Sequence, residues 1–188
     1  MSIITAPHPT LRKKTAPVTK VDKKLLQNID LLREDLLAEK DPEGVGLAFP
    51  QINKSIRAFA YRKNTRIKKK NDIQVFFNPE IISHSQEQIL GRKPDKPDYE
   101  GCLSVPNLWG QVPRWSWIEL KYELIENGHF SAHQAKFDNY ASRAIQHELD
   151  HLDGILFTDH ILEHDLPIYL EQNGEWVEFN DKELLRTF

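Results

Sequence analysis

The chain has 188 residues, 25 Lys and Arg against 28 Asp and Glu, and one cysteine. This length suits one domain with a proper core, and the net charge of -3 gives no overall attraction to nucleic acid or anionic lipid. A single Cys excludes an intramolecular disulfide. No apolar run approaches membrane-spanning length, and the first residues lack the pattern of a secretory signal. We therefore expect a cytoplasmic protein with no membrane contact, or an organellar one if a transit peptide has been removed.

An extended arm and a helix are expected at the start of the chain. Residues 1–20 carry three prolines, which predicts an extended arm that wraps the domain. From Asp22 onwards apolar residues recur every three or four positions, which predicts a core-facing helix over about residues 22–39 with Asp22 as its cap. These apolar residues are Leu25, Ile29, Leu32 and Leu36.

Residues 44–51, with the sequence GVGLAFPQ, form a stretch with two glycines that ends at Gln51. Two glycines let a ligand approach the main chain closely, and the Gln51 amide can donate a hydrogen bond. No Lys followed by Ser or Thr comes after the glycines, which argues against a phosphate-binding loop. On these residues alone, an ordinary turn before a strand is at least as good an interpretation as a binding loop.

Stretches that are β-rich or that alternate apolar with polar residues predict four strands in two antiparallel pairs. These strands cover residues 56–61, 73–77, about 116–124 and about 130–137, and Asn127 and Gly128 form a tight turn between the last two. Basic residues dominate 62–70, and they favour a solvated hairpin tip over an RNA contact because no aromatic residue lies among them. Residues 85–98 predict a polar loop that contains prolines.

A second helix is expected over about residues 139–152 and carries the sequence QHELDH. His147 and His151 lie four residues apart on one helical face, so both imidazoles can reach one metal ion, and Glu148 stands beside them. This pattern is typical of metal-dependent hydrolases.

The second helix has clear end signals, and the chain after it is acidic. Asp138 is placed to cap the helix and Gly154 to end it. The apolar run 155–157 is expected to pack back on a sheet. Residues 159–188 predict an irregular acidic segment.

A catalytic metal of the zinc type takes three protein ligands and keeps one position for water. A thiolate is a competent third ligand, and Cys102 lies in the glycine-flanked sequence EGCLS of residues 100–104. A lone Cys is otherwise more often a small buried apolar residue. A downstream acid or His, such as Glu163 or His164, is the alternative third ligand of an HExxH zinc endopeptidase.

The three motifs GVGLAFPQ, EGCLS and QHELDH, in this order, resemble those of the peptide deformylases. The resemblance covers about residues 3–160 of a single catalytic domain, 1–188, and leaves 161–188 as an acidic and divergent tail. We therefore predict an α+β fold in which antiparallel β-sheets pack around a central helix bearing the HExxH motif. The helix of about residues 22–39 is expected on the outside.

The resemblance also implies an activity. A hydrolase of this family removes the formyl group from the N-terminal formyl-methionine of newly made polypeptides and releases formate. It implies one divalent metal held by Cys102, His147 and His151, with Fe²⁺ natively and Zn²⁺, Ni²⁺ or Co²⁺ as replacements. The implied partner is the N-formylmethionyl peptide of a nascent chain, near the ribosome only transiently, with no specific nucleic acid.

The resemblance assigns roles to further residues. Glu148 takes and returns a proton, while the Gln51 amide and the backbone N–H of Leu103 bind the oxyanion. The residues expected to bind substrate are Val45, Gly46, Gly101 and Ala144. Glu100 and Arg114 are expected to form an acid–base pair that braces the substrate loop, and Asp150 to orient the ligand helix through a hydrogen bond.

Two alternatives and three departures remain open at this point. The two alternatives to a peptide deformylase are an HExxH zinc endopeptidase and a peptide-binding relative without activity. The dipeptide Phe49-Pro50, Trp109 and the unusually basic segment 62–70 depart from the family pattern, and the first two would narrow the cleft. Since the tail is acidic, we expect no ribosome docking by residues 165–188.

Overall fold

The computed structural model describes residues 3–40, 43–64, 66, 68–91 and 98–188, and within these ranges it contains three antiparallel sheets and four α-helices. The strands are β1 Gly46–Ala48, β2 Ala58–Tyr61, β3 Gln74–His84, β4 Gln88–Ile89, β5 Tyr99–Cys102, β6 Val105–Gln111, β7 Arg114–Trp115, β8 Trp117–Glu126, β9 His129–Asp138, β10 Ile168–Gln172 and β11 Glu175–Glu178. The helices are α1 Lys23–Ala38, α2 Asn139–Asp153, α3 Phe157–Glu163 and α4 Lys182–Leu185. The α+β prediction with antiparallel sheets is confirmed. Among the described helices, none has the length and apolar character needed to span a membrane.

The larger sheet has the strand order β1-β2-β3-β8-β9, and the smaller ones have the orders β11-β10-β6-β5 and β4-β7. Both predicted hairpins are present, β2 with β3 and β8 with β9. Asn127 and Gly128 join β8 to β9 with φ of 51° and 79°. Two positive φ values match the type of two-residue turn whose twist fits antiparallel strands.

Strand β2 and residues 75–77 of β3 are buried on both faces of the sheet, and each face meets a different helix. Ala58 and Ala60 face α1, whereas Phe59 and Phe76 face α2. Because side chains alternate along a strand, apolar residues at consecutive positions serve both layers. The larger sheet is therefore the middle layer, with α1 outside it, as predicted for the helix of about 22–39.

Helix α1 begins at Lys23, and the side chain of Asp22 accepts a hydrogen bond from the backbone N–H of Leu25 at 2.8 Å. Its buried face consists of the predicted apolar residues together with Asp35. This face packs against the side of the larger sheet that carries Leu47 and Val75. The helix therefore forms where its sequence pattern places it.

Helix α2 lies between the larger sheet and the four-stranded sheet. Ile145, Leu149 and Leu152 pack on the larger sheet. Gly154, with φ of 76°, ends the helix as predicted. Asp138 occupies the cap position, but its side chain accepts no capping hydrogen bond, so that part of the prediction is wrong.

The N-terminal arm ties these layers together by backbone hydrogen bonds, and residues 1 and 2 lie outside the described residues. Ile4 donates to the carbonyl of Gln51, Ala6 to that of Ser104 and Thr15 to that of Leu152, each at 2.8 Å. Leu11 is fully buried. The arm therefore joins the glycine stretch, the cysteine segment and α2, which agrees with the predicted arm that wraps the domain.

The expectation of an irregular segment over residues 159–188 is wrong. This part contains α3, the hairpin of β10 and β11, and α4. Asn173 and Gly174 connect the two strands with φ of 54° and 81°, which is the same two-residue turn signal as in the earlier hairpin. Burial of Ile168 and Leu185 anchors the segment, while the acidic residues lie on its outer surface.

Two loop predictions are modified by the structure. Arg62 is buried and donates to the carbonyl of Gly44, so it does not belong to a solvated tip. Lys63, Lys68 and Lys69 are exposed, as expected for such a tip, and residues 65 and 67 lie outside the described residues. The loop of residues 85–98 contains β4, and its residues 92–97 also lie outside the described ranges.

Candidate active site

Cys102, His147 and His151 come together although they are far apart along the chain. Their ligand atoms all lie within 4.8 Å of one another. The Cys102 sulfur and the His151 Nε2 are 3.2 Å apart, and the two imidazole rings lie edge to face with their centroids 4.9 Å apart. The helical spacing of four residues puts both rings on the side of α2 that faces β5. The structure therefore places the predicted ligand set in one cluster.

Strand β5 and its neighbours position the sulfur. The pairing of β5 with β6 shifts register between Gly101 and Cys102. The backbone N–H of Ser104 donates to the Cys102 sulfur at 3.4 Å, and the side-chain amide of Gln51 donates to it at 3.6 Å. Hydrogen bonds to a thiolate stabilise its charge, so these donors favour the form of Cys102 that binds metals.

The chemistry of this donor set fits a divalent transition metal. Burial alone raises the pKa of Cys102, but the adjacent His151 and His147 outweigh burial and hold this pKa well below its ordinary value. Burial lowers the pKa of His147, and hydrogen bonds to Cys102 and Glu100 more than reverse this effect. The thiolate thus needs a positive neighbour, and a metal cation bound by one sulfur and two imidazoles provides one.

A buried ion network supports the ligand cluster from behind. Glu100 lies 3.3 Å from Nδ1 of His147 and accepts hydrogen bonds from Arg114 at 2.9 and 3.1 Å and from Arg143 at 3.1 Å. Burial raises the pKa of Glu100, but the charge of Arg114 dominates and holds this pKa far below its ordinary value. A carboxylate that contacts one ring nitrogen fixes the direction of the other nitrogen, so Nε2 of His147 faces the sulfur.

Asp150 continues this network on the far side of Arg114. Its carboxylate contacts the guanidinium of Arg114 and lies 2.9 Å from Nε2 of His160. Asp150 therefore reaches His147 only through Arg114 and Glu100. The role of Asp150 in orienting the ligand helix stays a prediction. These contacts would carry the effect from Asp150 to His147.

Glu148 lies beside the ligands with its carboxyl group against Gly46. A Cβ atom at position 46 would stand 2.2 Å from Oε1 of Glu148, so any other residue there would displace this carboxyl group. Its Oε2 is buried and has no hydrogen-bond partner among the described residues. Burial raises the pKa of Glu148 to about 7, against the lowering effect of His147 and His151. Such a carboxyl group is suited to exchanging a proton with a bound molecule near neutral pH.

Gln51 is held by the turn that follows β1. Its Oε1 accepts from the backbone N–H of Ala48 at 2.8 Å, which directs the NH₂ group toward the Cys102 sulfur and the Ser104 hydroxyl. Residues 46–51 are therefore a short strand and a 3₁₀ turn that together present an amide to the site. Phe49 is fully buried in the core beside Leu36, away from the cavity wall.

A cavity of about 160 Å³ opens onto these groups. Every predicted catalytic and substrate-binding residue lines it: Val45, Gly46, Gln51, Gly101, Leu103, Ala144 and Glu148. Trp109, which departs from the family pattern, also lines it. His151 lies behind this wall, in contact with the sulfur.

Sequence reasoning assigned no role at the site to several residues of the wall, namely Asp98, Tyr99, Tyr140 and Arg143. Helical spacing was a usable signal for two of them, because Arg143 and Tyr140 lie four and seven residues before His147 and share its face. Tyr99 lies two residues before Gly101, so strand alternation places both on one face of β5.

The alternative third ligands lie elsewhere. Glu163 and His164 group with His160 on and just after α3, in a second cluster of side chains that is partly exposed. Among the described residues, the cluster that contains His147 and His151 is completed by Cys102. The endopeptidase prediction with Glu163 or His164 as the ligand therefore finds no support.

An antiparallel α+β fold whose HExxH helix faces a buried cysteine defines a metal-dependent hydrolase. The sequence pattern of the polypeptide deformylase family matches residues 1–166. The chain is 35% identical to a peptide deformylase of Desulfotalea psychrophila over 94% of this chain and 96% of that protein. It is 35% identical to peptide deformylase 2 of a Nostoc species over 97% of each.

A solved structure shows the same likeness. The crystal structure of a peptide deformylase from Thermotoga maritima matches with a TM-score of 0.69 and 33% identity, over 84% of this chain and 95% of that one. The chain belongs to the peptide deformylase family. It is a metal-dependent hydrolase that removes N-formyl groups.

Proposed function

We propose that this chain removes the formyl group from the N-terminal formyl-methionine of newly made polypeptides, with Cys102, His147 and His151 holding the metal. The observation that carries the proposal is the arrangement of five groups at one site. One sulfur and two imidazoles converge there, and the Glu148 carboxyl group and the Gln51 amide flank them. The metal is Fe²⁺ in the cell, with Zn²⁺, Ni²⁺ or Co²⁺ as replacements, since one thiolate and two imidazoles suit all four ions.

When bound, the metal acts as a Lewis acid and lowers the pKa of a water molecule toward neutrality. Glu148 accepts the proton of the attacking water through its unpartnered Oε2. The water oxygen bonds to the formyl carbon, the carbon–nitrogen bond breaks, and Glu148 returns the proton to the departing amine. Formate and a free methionyl amino terminus are the products.

Two donors stabilise the oxyanion that forms on the formyl oxygen. The NH₂ group of Gln51 already points at the sulfur, and Leu103, which follows Cys102 in the chain, also lines the cavity. Preorganised donors of this kind act mainly on the transition state, because developing charge strengthens their hydrogen bonds. Beside its oxygen and the amide nitrogen, a formyl carbon carries only hydrogen, so it is small enough to fit between these donors and the ligands.

The substrate chain binds between the free edges of two sheets. β1 is the edge strand of the larger sheet and β5 the edge strand of the four-stranded sheet, and both line the cavity. A peptide added as a strand pairs with backbone groups near Val45, Gly46 and Gly101, which explains acceptance of varied sequences. The methionine side chain then points toward α2, where Val45, Ala144 and His147 receive it.

We further propose that the chain acts as one catalytic domain in the bacterial cytoplasm and does not dock on the ribosome through its tail. Exposed tail residues include Glu175 and Glu178. Because Ile168 and Leu185 are buried, the test keeps the chain at full length and uses the double variant Glu175→Gln and Glu178→Gln. Sedimentation with ribosomes is expected to be unchanged, and loss of co-sedimentation in the variant would contradict the proposal.

Formate release from formyl-Met-Ala tests the proposed activity. The protein is purified without oxygen and loaded with Fe²⁺, Ni²⁺ or Co²⁺, and Glu148→Gln serves as the matched inactive control. We expect turnover by the unchanged chain and little by the control. No turnover with any of the three metals would leave a peptide-binding protein without activity as the better interpretation.

A further inference from the structure

One face of the four-stranded sheet carries a row of aromatic side chains that reaches the cavity. Tyr99 and Gly101 lie two residues apart on β5 and share this face. Trp109 lies opposite Gly101, and Tyr169 lies opposite Trp109, so these residues are on the same face as well. Trp176 of β11 completes the row. We name Tyr99, Trp109, Tyr169 and Trp176 the aromatic face.

The side chains of the aromatic face hold one another in place. The rings of Trp109 and Trp176 stack with centroids 5.5 Å apart at 18°, and Tyr99 meets Trp176 edge-on at 5.1 Å. Tyr169 meets Tyr99 edge-on at 5.7 Å. The indole N–H of Trp109 donates to the Glu171 carboxylate at 2.8 Å, which fixes the ring in its plane. Such pairs are favourable geometries for aromatic rings.

This face is turned away from the core and is continuous with the active site. The opposite face of the same sheet packs Leu108 and Ile168 against α3. Tyr99 and Trp109 line the cavity with the predicted catalytic groups, and Tyr99 and Trp176 are 39% and 44% exposed. An exposed apolar surface that begins inside a catalytic cavity is suited to bind the part of the substrate chain that extends out of the cavity.

The alternation of side chains along a strand identifies which substrate residue meets the aromatic face. A substrate strand beside β5 turns its methionine toward α2, on the side where Glu100 contacts His147. The side chain of the next residue points the opposite way, over Gly101 and the Trp109 ring. A Cβ atom added at Gly101 would lie 2.8 Å from that ring, so Trp109 covers the backbone where the second residue sits.

We infer that the aromatic face is the binding site for the side chain of the residue that follows formyl-methionine, and that it favours an aromatic side chain there. This inference rests on the proposed function. The C-terminal hairpin then has a defined part in substrate selection, because Tyr169 and Trp176 position Tyr99 and Trp109. A flat stacking surface favours Phe over Leu, whereas simple apolar burial treats the two alike.

Specificity constants for formyl-Met-Xaa-Ser peptides, with Xaa as Ala, Leu or Phe, test the inference. We expect kcat/KM of the unchanged enzyme to be about fivefold higher for Phe than for Ala, with Leu between them and the gain residing in KM. Trp109→Ala is expected to bring the ratio of Phe to Ala close to one. Trp176→Ala should reduce it to about twofold, and Trp176→Phe should restore it.

Val177→Ala is the matched control, because Val177 is an exposed neighbour of Trp176 on the opposite face of β11. Its ratio of Phe to Ala is expected to equal that of the unchanged enzyme. Turnover of all three peptides with a ratio near one, or equal values for Phe and Leu, would overturn the inference and leave the proposed function intact. Absence of turnover with every peptide would overturn both.

Discussion

Two walls of the site hold their side chains by different forces. The α2 wall is helix α2 with the ion network behind it, and the hairpin wall is Tyr99 and Trp109, which line the cavity, with the C-terminal hairpin packed against them. The α2 wall is buried and ionic, and Arg114 joins Glu100 to Asp150 behind the metal ligands. The hairpin wall is half exposed, and stacked rings with one hydrogen bond to Glu171 order it. Buried charges fix geometry strongly because they tolerate no loss of a partner. The first wall is thus suited to fixed chemistry, and the second to the recognition of varied side chains.

The largest expected effect is at Cys102, the metal ligand that β5 brings to the α2 wall. Cys102→Ala removes the thiolate, and two imidazoles alone hold the metal poorly. We expect the purified variant to contain far less than one metal ion per chain by elemental analysis and to show no measurable formate release. A variant that keeps its metal would show that another group is the third ligand. Val177→Ala, in the other wall, is the control and should retain both the metal ion and formate release.

Glu148→Gln separates metal binding from proton transfer within the same wall. The amide has nearly the shape of the carboxyl group but cannot accept the proton of water, so kcat should fall by about 10²- to 10⁴-fold. Metal content is expected to stay near one ion per chain, because Glu148 lies outside the ligand cluster. Loss of the metal in this variant would contradict the separate roles given to Glu148 and the ligands.

Arg114→Met tests how much the buried ion network contributes to the stability of the folded protein. Arg114 is 3% exposed, and its removal leaves the Glu100 and Asp150 carboxylates without this partner. We expect the free energy of unfolding in urea to fall by about 3–5 kcal/mol. Lys14→Met is the matched control, since Lys14 pairs with Asp153 at an exposed position, and it should unfold like the unchanged chain. Equal effects of the two substitutions would contradict the comparison.

The smallest expected effect lies in the hairpin wall. Trp176→Ala removes a stacked ring that is 44% exposed, so the free energy of unfolding should fall by only about 1–2 kcal/mol. Formate release from formyl-Met-Ala provides the activity readout, and urea unfolding the stability readout. A loss as large as that of Arg114→Met would show that the hairpin is a structural support for the whole domain.

The same contrast explains which parts of the molecule the sequence predicted. The two histidine ligands and the elements around them follow from local rules, such as four-residue spacing on α2 and Asn127 with Gly128 between β8 and β9. Cys102 was assigned as the third ligand through the resemblance to the family. The hairpin of β10 and β11 was missed because its pairing depends on the free edge of β6, a distant strand, and because acidic residues such as Glu175 and Glu178 favoured a solvated irregular segment. The turn signal at Asn173 and Gly174 was nevertheless present.

The buried network was only partly predictable. The pair of Glu100 and Arg114 was expected, but the contacts that add Asp150 and Arg143 to it depend on the packing of β5, β7 and α2. Arg143 was not singled out, since a charged residue on a helix is usually exposed. Here it is 4% exposed and bonds Glu100 and two backbone carbonyls. A buried arginine of this kind is visible only once the surrounding acceptors are placed.

A crystal structure of the zinc-loaded protein, with the ion located by anomalous scattering, tests the central claim most directly. We predict one ion bonded to the Cys102 sulfur at about 2.3 Å and to Nε2 of His147 and of His151 at about 2.0–2.1 Å. The Glu148 carboxyl group should lie next to the ion without binding it. An ion held by His160, Glu163 and His164, or one that leaves the Cys102 sulfur unbound, would contradict the account.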